Sequence, residues 1–243
     1  MTDVGSLTGI GDDRAMILEA DGVHMLFGFG PQKNARPPEK RMRQVMADPG
    51  IRVSAIRWGE QIHGRVVASL AAESGHTLEN AACVGRCDAL MTADAGVGLV
   101  VWTADCVPIL IHGDGVVAAV HSGWRGSVAD VAGAVVRRFV VEYGVPPSNL
   151  KAVLGPAISG PRYEVSGEVI DGFRAFGLDE QRWRRGNEID LRFFLSTRLE
   201  DLGLEPENIE IVGPCTASTP GLASYRRDGS DAGRQWSMVY RAA

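Results

Sequence analysis

Histidine, cysteine and aromatic side chains are scarce in this chain, and so are long apolar runs and positive charge. Five histidines and four cysteines occur in 243 residues, and Phe, Trp and Tyr together make up 7%. Four thiols could close at most two disulfides, and a chain of this length does not need them to hold a core, so a disulfide-built scaffold is excluded. No apolar run approaches the ~20 residues that span a bilayer. With 30 acidic against 25 basic side chains the formal charge is −5, which offers no general basic field to nucleic acid or anionic membrane. Residues 1–15 carry three aspartates and none of the basic-then-apolar pattern of a signal peptide. A cytoplasmic protein acting on a small molecule is the resulting expectation. There is no internal repeat, low-complexity tract or linker, so residues 1–243 are expected to form one domain, a monomer.

What the chain does have is alternating apolar segments and helical periodicity. Strands are predicted at 22–29, 52–57, 65–70, 89–92, 98–103, 108–112, 116–121, 151–154, 209–212 and 236–240. The clearest helix is predicted at 127–143, where Val128, Val131, Val135 and Phe139 recur at three- and four-residue spacing while Arg137, Arg138 and Glu142 face water. Further helices are predicted at 38–47, 167–176 and 190–202. Strand runs with helices before and after them predict an α/β or α+β layered sandwich.

Two short stretches interrupt the predicted core with polar groups. Thr103-Ala104-Asp105-Cys106 ends one buried run, and His121-Ser122-Gly123-Trp124-Arg125-Gly126 ends another. Buried polar groups need partners, so their density here points to a site. A third candidate, His63, precedes the strand at 65–70. Two imidazoles and one thiolate, His63, Cys106 and His121, match an open catalytic zinc site whose fourth position takes water or substrate. Cys106 with a histidine base is equally a nucleophilic pair. The segment 123–127 leaves a strand and enters a helix, so backbone N–H groups and Arg125 would favour an anion there, phosphate above all. The plainer alternative makes Ser127 a helix cap and pairs Arg125 with a surface carboxylate. Glu164, on a loop after Gly160-Pro161, is a candidate acid or base, with salt-bridge duty as its alternative. Cys83 and Cys87 have the spacing of a metal knuckle without a second pair, and Cys215 either lines the pocket or packs.

These motifs resemble the YfiH-type laccase-domain family, whose members are labelled multicopper polyphenol oxidases and zinc-dependent purine nucleoside phosphorylases. The resemblance also takes in Gln61-Ile62-His63-Gly64, Cys87-Asp88-Ala89-Leu90-Met91-Thr92, Gly155-Pro156-Ala157-Ile158-Ser159, Tyr163-Glu164-Val165, Cys215-Thr216, Ser224-Tyr225-Arg226-Arg227-Asp228-Gly229 and Gly233-Arg234-Gln235, in the family's order over roughly residues 52–239. The chain departs from the pattern after Gly30-Pro31, where Gln32-Lys33-Asn34 shortens or replaces a longer loop. The resemblance implies a mixed β-sheet core with helices outside. It implies zinc held by His63, Cys106 and His121, and phosphate attacking the ribose C1′ of adenosine, inosine or methylthioadenosine. Adenosine deamination by an activated water comes with it. It also implies that Arg226 or Arg227 closes the pocket opposite Arg125.

Two other chemistries compete. A blue-copper centre also uses two His and one Cys, but a four-copper laccase needs many more imidazoles than the two left over from the five present. Adventitious copper in the zinc site would still give weak oxidase activity, because Cu(II) outcompetes Zn(II) on affinity. A metal-free hydrolase would use Cys106 as nucleophile and His121 or His63 as base, on an amide such as a cell-wall precursor.

Overall fold

The structure is a computed structural model and describes residues 7–10, 13–29, 38–70 and 81–242. Two mixed sheets stack face to face. The first runs, in spatial order, β1 (Leu7–Ile10), β2 (Asp13–Ala20), β3 (Val23–Phe29), β15 (Gln235–Arg241), β8 (Val97–Thr103), β4 (Ala55–Glu60) and β6 (Ala81–Arg86). The second runs β14 (Ile209–Ile211), β11 (Lys151–Leu154), β9 (Val107–Gly113), β10 (Val116–Ser122), β7 (Ala89–Thr92) and β5 (Val67–Leu70). A two-residue pairing, β12 (Arg184–Arg185) with β13 (Glu188–Ile189), stands apart. Seven α-helices lie among the described residues: α1 (Pro38–Met46), α2 (Trp124–Val128), α3 (Val131–Tyr143), α4 (Gly167–Arg174), α5 (Glu180–Trp183), α6 (Leu191–Asp201) and α7 (Tyr225–Asp228).

Side-chain alternation explains the layering. In β10, Val117 and Ala119 meet Leu99, Val101 and Val239 of the first sheet, while Val116, Ala118 and Val120 meet helix α3. A strand covered on both faces has no polar face to show, and hence reads as a continuous apolar run. Met42 and Val45 of α1 cover the outer face of the first sheet against Ile56, Trp58 and Met238. The order is therefore helix, sheet, sheet, helices, as the layered α+β expectation required, with two sheets in the core. Phe139 of α3 is fully buried against the second sheet. Phe139→Ala should cost about 3–5 kcal/mol of unfolding free energy, read by chemical denaturation. A loss under about 1 kcal/mol would mean that α3 is not packed as described.

The long helix at 127–143 is corrected to two. Helix α2 ends at Val128, and Asp130, at φ 63° in the left-handed region, caps α3 by accepting from the Gly133 N–H. Arg198 and Arg137 hold the Asp130 carboxylate in place. The spacing of Val128, Val131, Val135 and Phe139 survives the break because periodicity records which face is apolar, not whether the backbone is continuous. Strands β1, β2 and β6 were not foreseen. The charged ends of β2 and the small residues Ala81, Ala82 and Gly85 of β6 give weak strand signals. The altered loop after Gly30 and His76 fall outside the described residues. Among the described residues no helix is long and apolar enough to cross a membrane.

Candidate metal and anion site

The site begins with a two-residue turn. Asp114 and Gly115 join β9 to β10, both at positive φ (46° and 81°), which suits the backbone twist of a tight hairpin. This turn sets the register: Gly113 opposes Val116, and at the far end Val107 opposes Ser122 and Pro108 opposes His121. Cys106 therefore arrives beside Gly123. A Cβ on Gly123 would sit 2.7 Å from the Cys106 Sγ and 3.5 Å from the His63 ring, so glycine is what lets thiol and imidazole converge. On the other side of β10, Ala89 opens β7 opposite Val120, and Val67 opens the parallel β5 opposite Ala89. The loops before β5 and β7 thus end at the same sheet edge, bringing His63 and Asp88 to His121.

His63, Cys106 and His121 offer one ligand atom each, all within 4.8 Å of one another. The two imidazoles stand edge to face at 4.8 Å between centroids. They form the one cluster of three or more His, Cys, Asp or Glu ligands among the described residues. One buried carboxylate organises it. Asp88 Oδ1 accepts from the His63 N–H at 2.8 Å and lies 3.0 Å from His121 Nδ1, and Oδ2 accepts from the Gly64 N–H at 2.7 Å. The Asp88 carbonyl also accepts from the His121 N–H at 2.7 Å. With Nδ1 committed, His121 has Nε2 left for a metal, the outer-shell arrangement that fixes tautomer and ring orientation in metal sites. His63 sits at φ 57°, a strained conformation for a side-chain-bearing residue, held by those two N–H bonds. Asp88 lies in the Cys87–Thr92 motif, and its position immediately before β7 is the one local sign of this role.

The electrostatics match this geometry. Burial disfavours the Cys106 thiolate, yet hydrogen bonds and charge from His121 and His63 outweigh it and hold the thiol down to about 6. Burial likewise disfavours a charged His121, but Asp88 and the Cys106 thiolate hold its proton up to about 9. For Asp88 burial raises and the His121 contact lowers, with the Gly64 and His63 N–H bonds deciding for a lowered value. A thiolate that is stable near neutrality, an outer carboxylate and two imidazoles, with the His121 proton displaced on binding, fit a metal of borderline softness.

That cavity measures about 630 Å³. Beyond the three candidate ligands its walls include Trp102, Trp124, Tyr163 and Tyr225, with Arg125 and Arg226 at the rim. Gln61 shapes one wall by donating to the Trp102 carbonyl and accepting from its N–H, each at 2.7 Å. Arg125 is exposed, stacks over Trp124 at 4.3 Å and makes no ion pair among the described residues. The expected helix end is corrected: Gly123 is the N-cap of the short α2, and the buried Ser127 hydroxyl bonds to Ser122 Oγ and the Gly123 carbonyl. Arg226 stacks over Tyr163 at 5.0 Å and donates to the Arg162 and Glu164 carbonyls. Arg227 instead holds its own loop, donating to the carbonyls of Thr216, Thr219 and Leu222.

The remaining candidates lie elsewhere. Glu164 is exposed and does not line the cavity; Tyr163, its neighbour, does, with its phenol pushed up to about 12 chiefly by burial. Cys87 is buried and its thiol is pushed up to about 11 by burial, the mark of an inert core thiol, and Cys83 is exposed. Cys215 is half-buried off the cavity and accepts from the Ser159 N–H. Burial opposes its thiolate, but hydrogen bonds from Ser159 and Ser218 hold it down to about 7. His24 stacks on Tyr240, and His112 lies at the turn end of β9, roughly 20 Å along the strand from Cys106.

The class these features define is a two-sheet layered α+β sandwich with a His-Cys-His cluster, a possible metal site, at one end of its second sheet. Residues 28–242 match the family described as multi-copper polyphenol oxidoreductase laccase, and the chain belongs to that family. A Deinococcus radiodurans protein named purine nucleoside phosphorylase is 36% identical over 154 residues, 63% of this chain and 60% of the relative. A Streptomyces coelicolor protein of the same description is 35% identical over 195 residues, 77% of each chain. The match thus spans about three fifths of the first of these relatives. The crystal structure of YlmD from Geobacillus stearothermophilus shares the fold, with a TM-score of 0.80 at 22% identity, covering 99% of this chain and 100% of that one.

Proposed function

We propose that this protein is a zinc-dependent purine nucleoside phosphorylase acting on adenosine, inosine or methylthioadenosine. The observation that carries the proposal is the His63, Cys106 and His121 triangle opening into an aromatic-walled cavity with two arginines at its rim. The names of the relatives support the same reading. Zinc held by those three side chains would supply Lewis-acid stabilisation of a polarised oxygen and an activated water. Trp102, Trp124, Tyr163 and Tyr225 offer flat faces and edges to a purine. Arg125, which has no carboxylate partner among the described residues, binds phosphate, and Arg226 closes the opposite side. A phosphate oxygen bonds to C1′ as the C1′–N9 bond breaks, giving the free base and ribose 1-phosphate, or 5-methylthioribose 1-phosphate from methylthioadenosine. The Tyr163 phenol keeps its proton across the physiological range and serves as a donor rather than a base. In the same reading, water activated by zinc at those three side chains would replace the C6 amino group of adenosine and release ammonia.

Metal analysis of the purified protein beside phosphate-dependent release of base from adenosine and inosine tests the proposal. Chelation should abolish release and zinc should restore it. Arg125→Ala should raise the phosphate KM about tenfold, the size of one lost charge-assisted contact, and leave the melting temperature nearly unchanged. Unchanged phosphate dependence would remove Arg125 from the site. A second reading has its own observation: a Cys106 thiol near 6, beside His121, beside Asp88, is a nucleophile, base and orienter in sequence. A cysteine hydrolase would stay active without metal and die on alkylation of Cys106. The zinc enzyme should behave oppositely.

A further inference from the structure

Cys106 has a neighbour with an unusual environment. Asp105 sits at φ 81°, is 8% exposed and lines the cavity. Its carbonyl accepts from the Ile158 N–H at 3.0 Å. Its carboxylate has two partners from a segment more than a hundred residues away. Oδ1 accepts from the buried Thr216 hydroxyl and Oδ2 from the Arg226 N–H, both at 2.6 Å. Thr216 is itself fixed, its N–H donating to the Ala157 carbonyl and its carbonyl accepting from Arg227. Arg226 is the second residue of the short helix α7, and its guanidinium reaches the carbonyls on either side of Tyr163. Beside the Ser224 cap and the Arg227 bonds that hold the loop to itself, one carboxylate ties the wall of Tyr225, Arg226 and Tyr163 to the segment that carries a candidate metal ligand.

We propose that Asp105 is a positioning residue: a latch that fixes the Thr216 to Arg226 wall at a set distance from Cys106 and so holds Arg226 where it can meet the anionic end of a substrate. This deepens the phosphorylase reading and rests on it for the identity of that anion. Two features would otherwise go without a shared explanation. A residue at φ 81° is most easily glycine, so an aspartate there is retained for its side chain. A four-residue helix has too few internal bonds to stay formed alone, so α7 needs an outside anchor at its first turn.

Two substitutions at position 105 separate a latch from a mere turn. Asp105→Gly relieves the backbone and removes both acceptors. Asp105→Asn keeps one carbonyl oxygen for the Arg226 N–H, and the Thr216 hydroxyl can turn to accept from the amide. If only the turn mattered, glycine would be the milder change. The latch requires the reverse. In hydrogen exchange, the segment 222–229 should lose protection about tenfold in Asp105→Gly and far less in Asp105→Asn. The phosphate KM should rise about tenfold in the glycine variant and about threefold in the asparagine variant, with kcat falling less than KM rises and zinc content at the parental level. Equal protection of 222–229 in the parent and the glycine variant overturns the latch. So does a glycine variant that binds phosphate better than the asparagine one. A parent protein with no phosphate-dependent activity would overturn the phosphorylase reading, and the exchange result alone would then decide the latch.

Discussion

Cys106→Ala protein is expected to purify with less than about a tenth of the parental metal and to lose phosphorolysis by about three orders of magnitude. Removing one of three protein ligands leaves two imidazoles, one of them on a loop, which cannot compete with solvent for a divalent cation. The fold should persist, because Cys106 packs at the cavity wall and not inside any of the large apolar clusters. Metal analysis together with the melting curve checks both halves. Parental zinc in the mutant would sink the ligand assignment. Loss of metal with retained activity would leave the cluster standing and remove it from the reaction.

The second large effect belongs to Asp88, a residue that touches neither cavity nor substrate. Asp88→Ala leaves His121 Nδ1 and the N–H groups of His63 and Gly64 without their acceptor in a fully buried position. Removing one member of a buried charged pair costs about 3–5 kcal/mol. Metal affinity should fall about 10- to 100-fold with the loss of outer-shell orientation. A pH experiment isolates the electrostatic part. In metal-free parent the Cys106 thiol is depressed from an ordinary value of 9.0 to about 6, so its reaction with an alkylating agent should climb as pH rises through about 6 and be near its plateau by about 8. Without Asp88, His121 loses support for its proton, the cation beside the thiolate is lost, and the profile should move to higher pH. An unmoved profile would show that His121 does not need Asp88 to stay charged.

The convergence of the candidate ligands was partly legible in the sequence, because two of them end apolar strands. Polar groups at the ends of buried runs stand out, and His121 and Cys106 are found that way. Helix α6 was legible too, predicted at 190–202 and found at Leu191–Asp201 with Asp190 capping it by accepting from the Arg192 and Phe193 N–H groups. The stacking of two sheets was not. Runs such as those of β9 and β10 report burial on both faces but not whether helix or sheet covers each one. Asp88 was hidden for a different reason: its importance comes from three segments meeting at one carboxylate, and no local spacing encodes such a meeting. Glu164 failed in the opposite sense. A glutamate beside a Gly-Pro turn can point either way, and here Tyr163 takes the inward place.

The Asp114-Gly115 turn makes the hairpin a ruler. Pairing is counted from the turn outward, and the same count that sets Gly113 against Val116 sets Cys106 beside Gly123. A single residue inserted at the turn would advance one strand past the other by one position, and side chains on a strand change face with every position. His121 would swing from the inter-sheet face toward the helices, away from Asp88, although nothing within roughly 20 Å of it had been altered. The accuracy of the His-Cys-His cluster is thus stored at the opposite end of the sheet, and a length change there would scatter its three side chains.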